Sequence, residues 1–233
     1  AKLSKRNGEV SIAWYREMGF LPEAICNYLA LLGWSPGDDL ENITMKQLTE
    51  MFTVEKVHSS PARFDMKKLE AINGDKIRAL TLDEFLKWSL PFLTKADVIT
   101  GTDAEIELVK KALPIIQERI IMLNEVPKML KFLFTKNFAV EAESVSKITD
   151  DASKEILKRS VKELETVSDW THTNIEAVLR ASLIEEMALK PRIAFTALRI
   201  ATTGSTISPP LFESMELLGK EACLLRINAG LAL

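Results

Sequence analysis

The sequence predicts an all-α protein, on three observations. Apolar residues recur at i, i+3, i+4 spacing through most of the 233 residues. No segment sustains the alternation of a half-buried strand, and the few β-branched stretches sit inside helical patterns. Thr, Asp and Pro open the periodic runs and Gly closes them, as helix caps require.

In chain order, Leu21, Ala24, Ile25, Tyr28, Leu29 and Leu32 mark a helix in FLPEAICNYLALLGW, opened by Pro22 and stopped at Gly33. ITMKQLTEMF caps on Thr44 with Leu48 and Phe52 on one face. FDMKKLEAING caps on Asp65 and is expected to end at Gly74. TLDEFLKWSLPFL starts on Thr81, with Asp83 and Glu84 in its first turn. From Asp103 to Phe134 the apolar positions Ile106, Val109, Leu113, Ile116, Ile120 and Leu123 predict a bent pair of helices, broken or kinked at Pro114 and Pro127. At least four more helices follow, in DASKEILKRSVKELETV, NIEAVLRASLIEEMALK, RIAFTALRIATTG (closing at Gly204) and LFESMELLGKEACLLRINAGLAL. The polar stretches 94–105 and 137–151 break the periodicity and mark joints, giving regions 1–95, 96–145 and 146–233. No fixed-period repeat is visible.

Composition narrows the function. With 47% hydrophobic and 27% charged residues the chain can bury a core. No apolar run reaches the roughly 20 residues of a membrane helix. Thirty Lys+Arg against 33 Asp+Glu leave a net charge of −3, so no global basic field draws the chain to nucleic acid, and any polyanion must be bound locally. Cys26 and Cys223 lie in apolar helical patterns and read as buried thiols of a reducing, cytoplasmic protein. The chain opens on Ala1, and AKLSKRNGEVS lacks the apolar core of a signal peptide; it reads as an excised piece of a longer protein.

Most catalytic constellations are missing. His58 and His172 have no Cys or carboxylate at ligand spacing, so they read as surface or capping residues and no metal site is expected. There is no dinucleotide fingerprint, phosphate-binding P-loop or serine elbow. Asp38/Asp39 and Glu185/Glu186 read as a loop and a solvated helix face. One segment differs: Lys2, Leu3, Ser4, Lys5, Arg6, Asn7 and Gly8 place two ammonium groups and a hydroxyl on one short stretch. Such a set suits the oxygens of a phosphate chain, and the charge that grows on it in phosphoryl or adenylyl transfer. Taken alone, it reads equally as a basic tail.

KLSKR is followed by GEVSIAWYREMGFLPEAICNYLALLGWSPGDD, then SSPARFDMKKLEAING, and near the end ALRIATTGSTISPPLFESMELLGKE. Together these resemble the bacterial glutamyl-tRNA synthetases, class I enzymes, over essentially the whole chain. The resemblance implies a stem-contact helical region followed by an α-helical-cage anticodon-binding region of two sub-bundles. The parent enzyme would activate glutamate with ATP and Mg2+ and transfer it to tRNA-Glu, or to tRNA-Gln as well. The resemblance also implies a monomer away from membranes. KLSKR is similar to the family's ATP loop, with Lys2 and Lys5 on phosphates, Ser4 hydrogen-bonding them and Leu3 offering backbone to the adenine side; Lys5 is expected to matter most for rate. In that family the Rossmann domain precedes this loop, so the piece alone is expected to be inactive and to hold no cofactor.

The resemblance also implies tRNA contacts. Arg63, Lys67 and Lys68 would meet stem phosphates, contacts that position without reading sequence; a solvated helix face is the other reading. Arg199, Ser208, Pro209 and Leu211 fall on anticodon-contact positions, where splayed bases are read by edge hydrogen bonds and apolar platforms. Against the family's thermophilic form, Ser208 replaces Thr and Pro210 replaces Gly, which keeps the hydroxyl and stiffens the loop. Gln117 and Arg119 both fall in the window that reads the third anticodon base, and the register between them stays open; Arg119 could instead pair with Glu105, Glu118 or Glu125. Outside this family, the helical pattern also fits a protein-binding adaptor.

Overall fold

The computed structural model describes residues 11–37, 40–58 and 64–233. Among them it contains fourteen α-helices: α1 (Ile12–Met18), α2 (Pro22–Leu31), α3 (Met45–Met51), α4 (Met66–Ala79), α5 (Leu82–Lys95), α6 (Asp103–Ala112), α7 (Pro114–Gln117), α8 (Val126–Phe134), α9 (Ala142–Val145), α10 (Asp151–Glu165), α11 (His172–Leu179), α12 (Pro191–Thr203), α13 (Leu211–Leu218) and α14 (Lys220–Leu231). The only extended pairing among the described residues is an isolated bridge between Trp34 and Val57. The all-α class is thus the observed one.

Local chemistry sets most helix starts. Thr44, Thr81 and Thr102 each accept from the backbone N–H three residues on, while Gln47, Glu84 and Glu105 reach back to the cap, so both ends of each box are satisfied. Asp65 caps α4 and Asp150 caps α10 in the same sense. α1 ends at Gly19, whose φ of 88° lets its N–H bond Arg16 O while Phe20 N–H bonds Tyr15 O. Glycine is required there, because a Cβ would lie 2.5 Å from Leu123 N.

Contacts divide the chain into two compact units, the first holding the described residues up to Ala96 with Gln117–Lys128, the second Asp97–Ile116 with Met129–Leu233. In the first, α2 packs on α4 around Tyr28, Ile43, Leu69 and Ile77. Buried carboxamides stitch its loops: Asn27 accepts from Ile43 N–H (2.7 Å) and donates to Glu41 O (2.9 Å), and Asn73 accepts from Leu21 N–H (2.8 Å) and donates to Ile121 O (2.6 Å). In the second, α10 packs on α12 and α14, and α11 on α13, around Ile148, Leu157, Leu179, Leu198, Met215 and Ile227.

Several expectations are corrected. Gly74 does not end its helix; α4 continues to Ala79, with Gly74 buried close to Ile121 and the Arg78 guanidinium, so the missing side chain serves packing. Cys26 is exposed and only Cys223 is buried. The buried face of α2 is Ala24, Asn27 and Tyr28, which turns Cys26 and Leu29 outward. The stretch 103–134 is not one bent pair: α6 stops at Ala112, α7 is a single turn after Leu113, and Pro127 sits in the first turn of α8, where its missing N–H costs nothing. A π-helical segment, Arg180–Glu186, continues α11, which no periodicity announced.

Candidate nucleic-acid interface

Four of the six residues that the resemblance assigned to the anticodon, Arg199, Ser208, Pro209 and Leu211, lie together in the second unit. α12 opens on Pro191 and closes at Gly204, which adopts φ 87°. The 204–210 loop then leads to α13, with Pro210 at its N-cap and the Ser214 hydroxyl bonding Pro210 O at 2.6 Å. Arg199, about two-thirds along α12, reaches across this loop: its Nη1 donates to Ser208 Oγ at 2.5 Å and to Pro209 O at 2.7 Å. The Thr203 hydroxyl bonds Arg199 O at 2.7 Å and closes the last turn. One guanidinium nitrogen thus ties a hydroxyl and a carbonyl of the loop back to α12. Leu211, grouped with these three, is different: it starts α13 and is 4% exposed, so it supports the loop from the core.

Two neighbouring features escaped sequence reading. Ile207, one residue before Ser208, is 57% exposed, an apolar side chain on a polar loop. The Arg180 guanidinium lies over the Phe195 ring at 5.3 Å, and Phe195 meets Phe212 edge-on at 5.1 Å. Phe195 stands four residues before Arg199, so helical spacing was the available signal.

The third-base window lies in the first unit. Gln117 Nε2 donates to Ile77 O and Leu80 O, both at 2.9 Å, and so closes the C-terminal end of α4. Arg119 is exposed. Neither Glu105 nor Glu125 pairs with it: Glu105 accepts from the N–H groups of Thr100, Gly101 and Thr102, and Glu125 from those of Ile121 and Met122. These donors hold the Glu105 carboxyl down to about 2, the Thr102 N–H chief among them.

Of the stem residues, Lys67 is exposed in the first turn of α4, whereas Lys68 pairs with Glu41 at 2.6 Å. Arg63, and Lys2, Leu3, Ser4 and Lys5, lie outside the described residues. His172 is a half-exposed surface residue at the start of α11, whose cap is Thr171; its N–H and Nδ1 are both on Glu216 (2.7 and 2.6 Å), which lowers the Glu216 pKa. His58 is exposed, its N–H on Gly33 O. Among the described residues no three of His, Cys, Asp or Glu converge as metal ligands. A hollow of about 560 Å³ in the first unit is lined by Phe20, Ile25, Trp88 and Phe92, together with Arg16, Glu17 and Lys95, the last two an exposed ion pair at 3.8 Å.

The helical frame thus presents an arginine-braced loop, an exposed aliphatic tip and an arginine–aromatic stack in one unit. Residues 76–231 match the family model described as anticodon binding domain, and the chain belongs to that family. Residues 1–71 match a second model, the catalytic domain of class I tRNA synthetases (E and Q). Glutamate–tRNA ligases of Saccharopolyspora erythraea and Arthrobacter are similar, at 42% and 44% identity over 99% and 98% of this chain, each covered to 46%. The chain therefore spans about half the length of the curated relatives it matches. A crystal structure of a glutamate tRNA ligase from Elizabethkingia meningosepticum shares the fold, with a TM-score of 0.80 at 24% identity, over all of this chain and 48% of that one.

Proposed function

We propose that this chain is the tRNA-binding part of a glutamate–tRNA ligase that activates glutamate with ATP and transfers it to tRNA-Glu. The observation that carries the reading is the Arg199–Ser208–Pro209 cluster, a braced loop within the region matching the anticodon-binding family. Splayed anticodon bases need edge donors and apolar surfaces, which Arg199, Ser208 and Pro209 supply, with Leu211 behind them. Stem contacts fall to region 1–95, through Arg63, Lys67 and Lys68, and anticodon recognition to the helical sub-bundles 96–145 and 146–233. Of the two third-base candidates, Arg119 is the better placed, since the amide nitrogen of Gln117 already serves the end of α4.

In the whole enzyme Lys2, Leu3, Ser4 and Lys5 would hold ATP, which arrives as its Mg2+ complex. Two ammonium groups and a hydroxyl fit phosphate oxygens, and KLSKR offers no carboxylate to a metal. Their work is to bind and orient the phosphates and to offset charge as adenylate forms. The enzyme acts in the cytoplasm as a monomer, and among the described residues no helix is long and apolar enough to cross a membrane. The matched families speak for tRNA rather than for the protein-binding adaptor.

The test is a fluorescence-anisotropy titration with tRNA-Glu, tRNA-Gln and an unrelated tRNA at two salt concentrations. Saturable binding that prefers tRNA-Glu is the expected result. Equal binding of the Glu and Gln species identifies a non-discriminating enzyme. No binding at low salt, either by this chain or by the full-length protein, overturns the reading.

A further inference from the structure

Arg226 on α14 is a charge in an unusual place. It is 7% exposed, and among the described residues no carboxylate pairs with it. Its Nη1 donates to Thr202 O and its Nη2 to Phe132 O, both at 2.8 Å, and its guanidinium carbon lies 4.0 Å from the centre of the Phe138 ring. Both carbonyls belong to last helical turns, of α12 and of α8, where four carbonyls lack an intrahelical partner and the helix dipole is negative. Two helix ends and a ring face therefore do what an acid would do elsewhere. Burial still opposes the charge and lowers the Arg226 pKa. A buried cation without a counter-ion is an expensive way to fill space, and an apolar residue would pack there with less desolvation.

The position of these partners suggests what the expense secures. Thr202 is two residues before Gly204, where the loop leaves α12. Phe138 and Ala139 press on Gly204 from outside the helix: a Cβ there would lie 3.1 Å from Ala139 O and 3.3 Å from Phe138 Cε2. Glu141 N–H bonds Gly204 O at 2.9 Å. Arg226 thus holds the last turn of α12, just before the loop whose far end Arg199 holds at Ser208 and Pro209.

We propose that Arg226 is a positioning residue for anticodon recognition, setting through the Thr202 carbonyl and the Phe138 ring the direction in which the 204–210 loop leaves α12. The inference rests on the anticodon reading above. Arg226 touches no base; it acts through Arg199 and Ser208.

The test uses the full chain with Arg226→Gln, Arg226→Lys and Phe138→Leu, each also made in an Arg199→Ala background. Titrations compare tRNA-Glu with a transcript of altered anticodon. Expected are a loss of about tenfold for the intact anticodon and a change under about twofold for the altered one. Lysine should restore little, because it cannot serve two carbonyls in a fork. No further loss is expected once Arg199 is gone. Should Arg226→Gln fail to fold cooperatively, Phe138→Leu, which leaves the guanidinium and both its carbonyl bonds, carries the same expectation. Equal losses on the two transcripts, or full additivity with Arg199→Ala, overturn the inference while the function stands. A wild-type chain that binds both transcripts alike overturns the anticodon reading, and this inference with it.

Discussion

A single guanidinium shows how the candidate site is held. Arg199 donates from one nitrogen to Ser208 Oγ and Pro209 O across nine and ten residues, and so ties the far end of the loop to α12. Charged hydrogen bonds of this kind contribute about 1.5–3 kcal/mol each. Arg199→Ala is therefore expected to weaken cognate tRNA binding about 10–100-fold and to leave binding of an anticodon-altered tRNA little changed, as read by anisotropy; equal losses on both would remove its assigned role. A second residue-scale test concerns stability alone. Asn73 satisfies Leu21 N–H and Ile121 O in a buried setting, and Asn73→Ala leaves both without a partner. Stability should fall by about 2–4 kcal/mol, measured by urea unfolding of the chain without tRNA.

Helices here are decided partly by neighbours in sequence and partly by neighbours in space. The caps at Thr44 and Thr81 were legible because capping is a local transaction between residues three apart. Gly74 misled for the opposite reason: its place inside α4 depends on Ile121, 47 positions away, whose methyl leaves no room for a larger residue unless it moves. Cys26 misled because AICNYLALL is apolar on more sides than one helix face can bury, and the stripe that faces α4 includes the polar Asn27. The α6 box adds a pH dependence. Hydrogen bonding keeps the Glu105 carboxyl at about 2, below its ordinary 4.5, so the folded state favours the charged form. Its contribution is complete above 4.5 and is lost as pH falls through that range toward 2. Glu105→Gln should flatten the fall of melting temperature over this interval, and an unchanged acid limb would show that the carboxylate does not stabilise α6.

For the whole chain, charge argues against a broad electrostatic grip. A net charge of −3 leaves tRNA affinity to a few lysines and arginines placed where phosphates pass, so the slope of log K against log salt should correspond to a few contacts rather than to ten. A steep slope in the same titration that compares tRNA-Glu with tRNA-Gln would mean that the basic residues work as one field.

The fold class, the helix starts at Thr44, Asp65 and Thr81, the stop at Gly204 and the family resemblance were all determined by the sequence alone. Each depends on residues within a few positions or on an ordered set of motifs. The grouping of Arg199 with Ser208 and Pro209 was reached by resemblance, and the hydrogen bonds that hold it are a property of the folded loop. Tertiary structure alone decided that Gly74 lies within α4, that Cys26 faces outward, that Gln117 closes α4 and that Arg226 bonds a carbonyl 94 residues away. Those outcomes depend on which helix faces meet and which backbone carbonyls are left unpaired when they do. Local pattern does not carry that information, because burial and hydrogen-bond satisfaction are settled only when distant segments pack together.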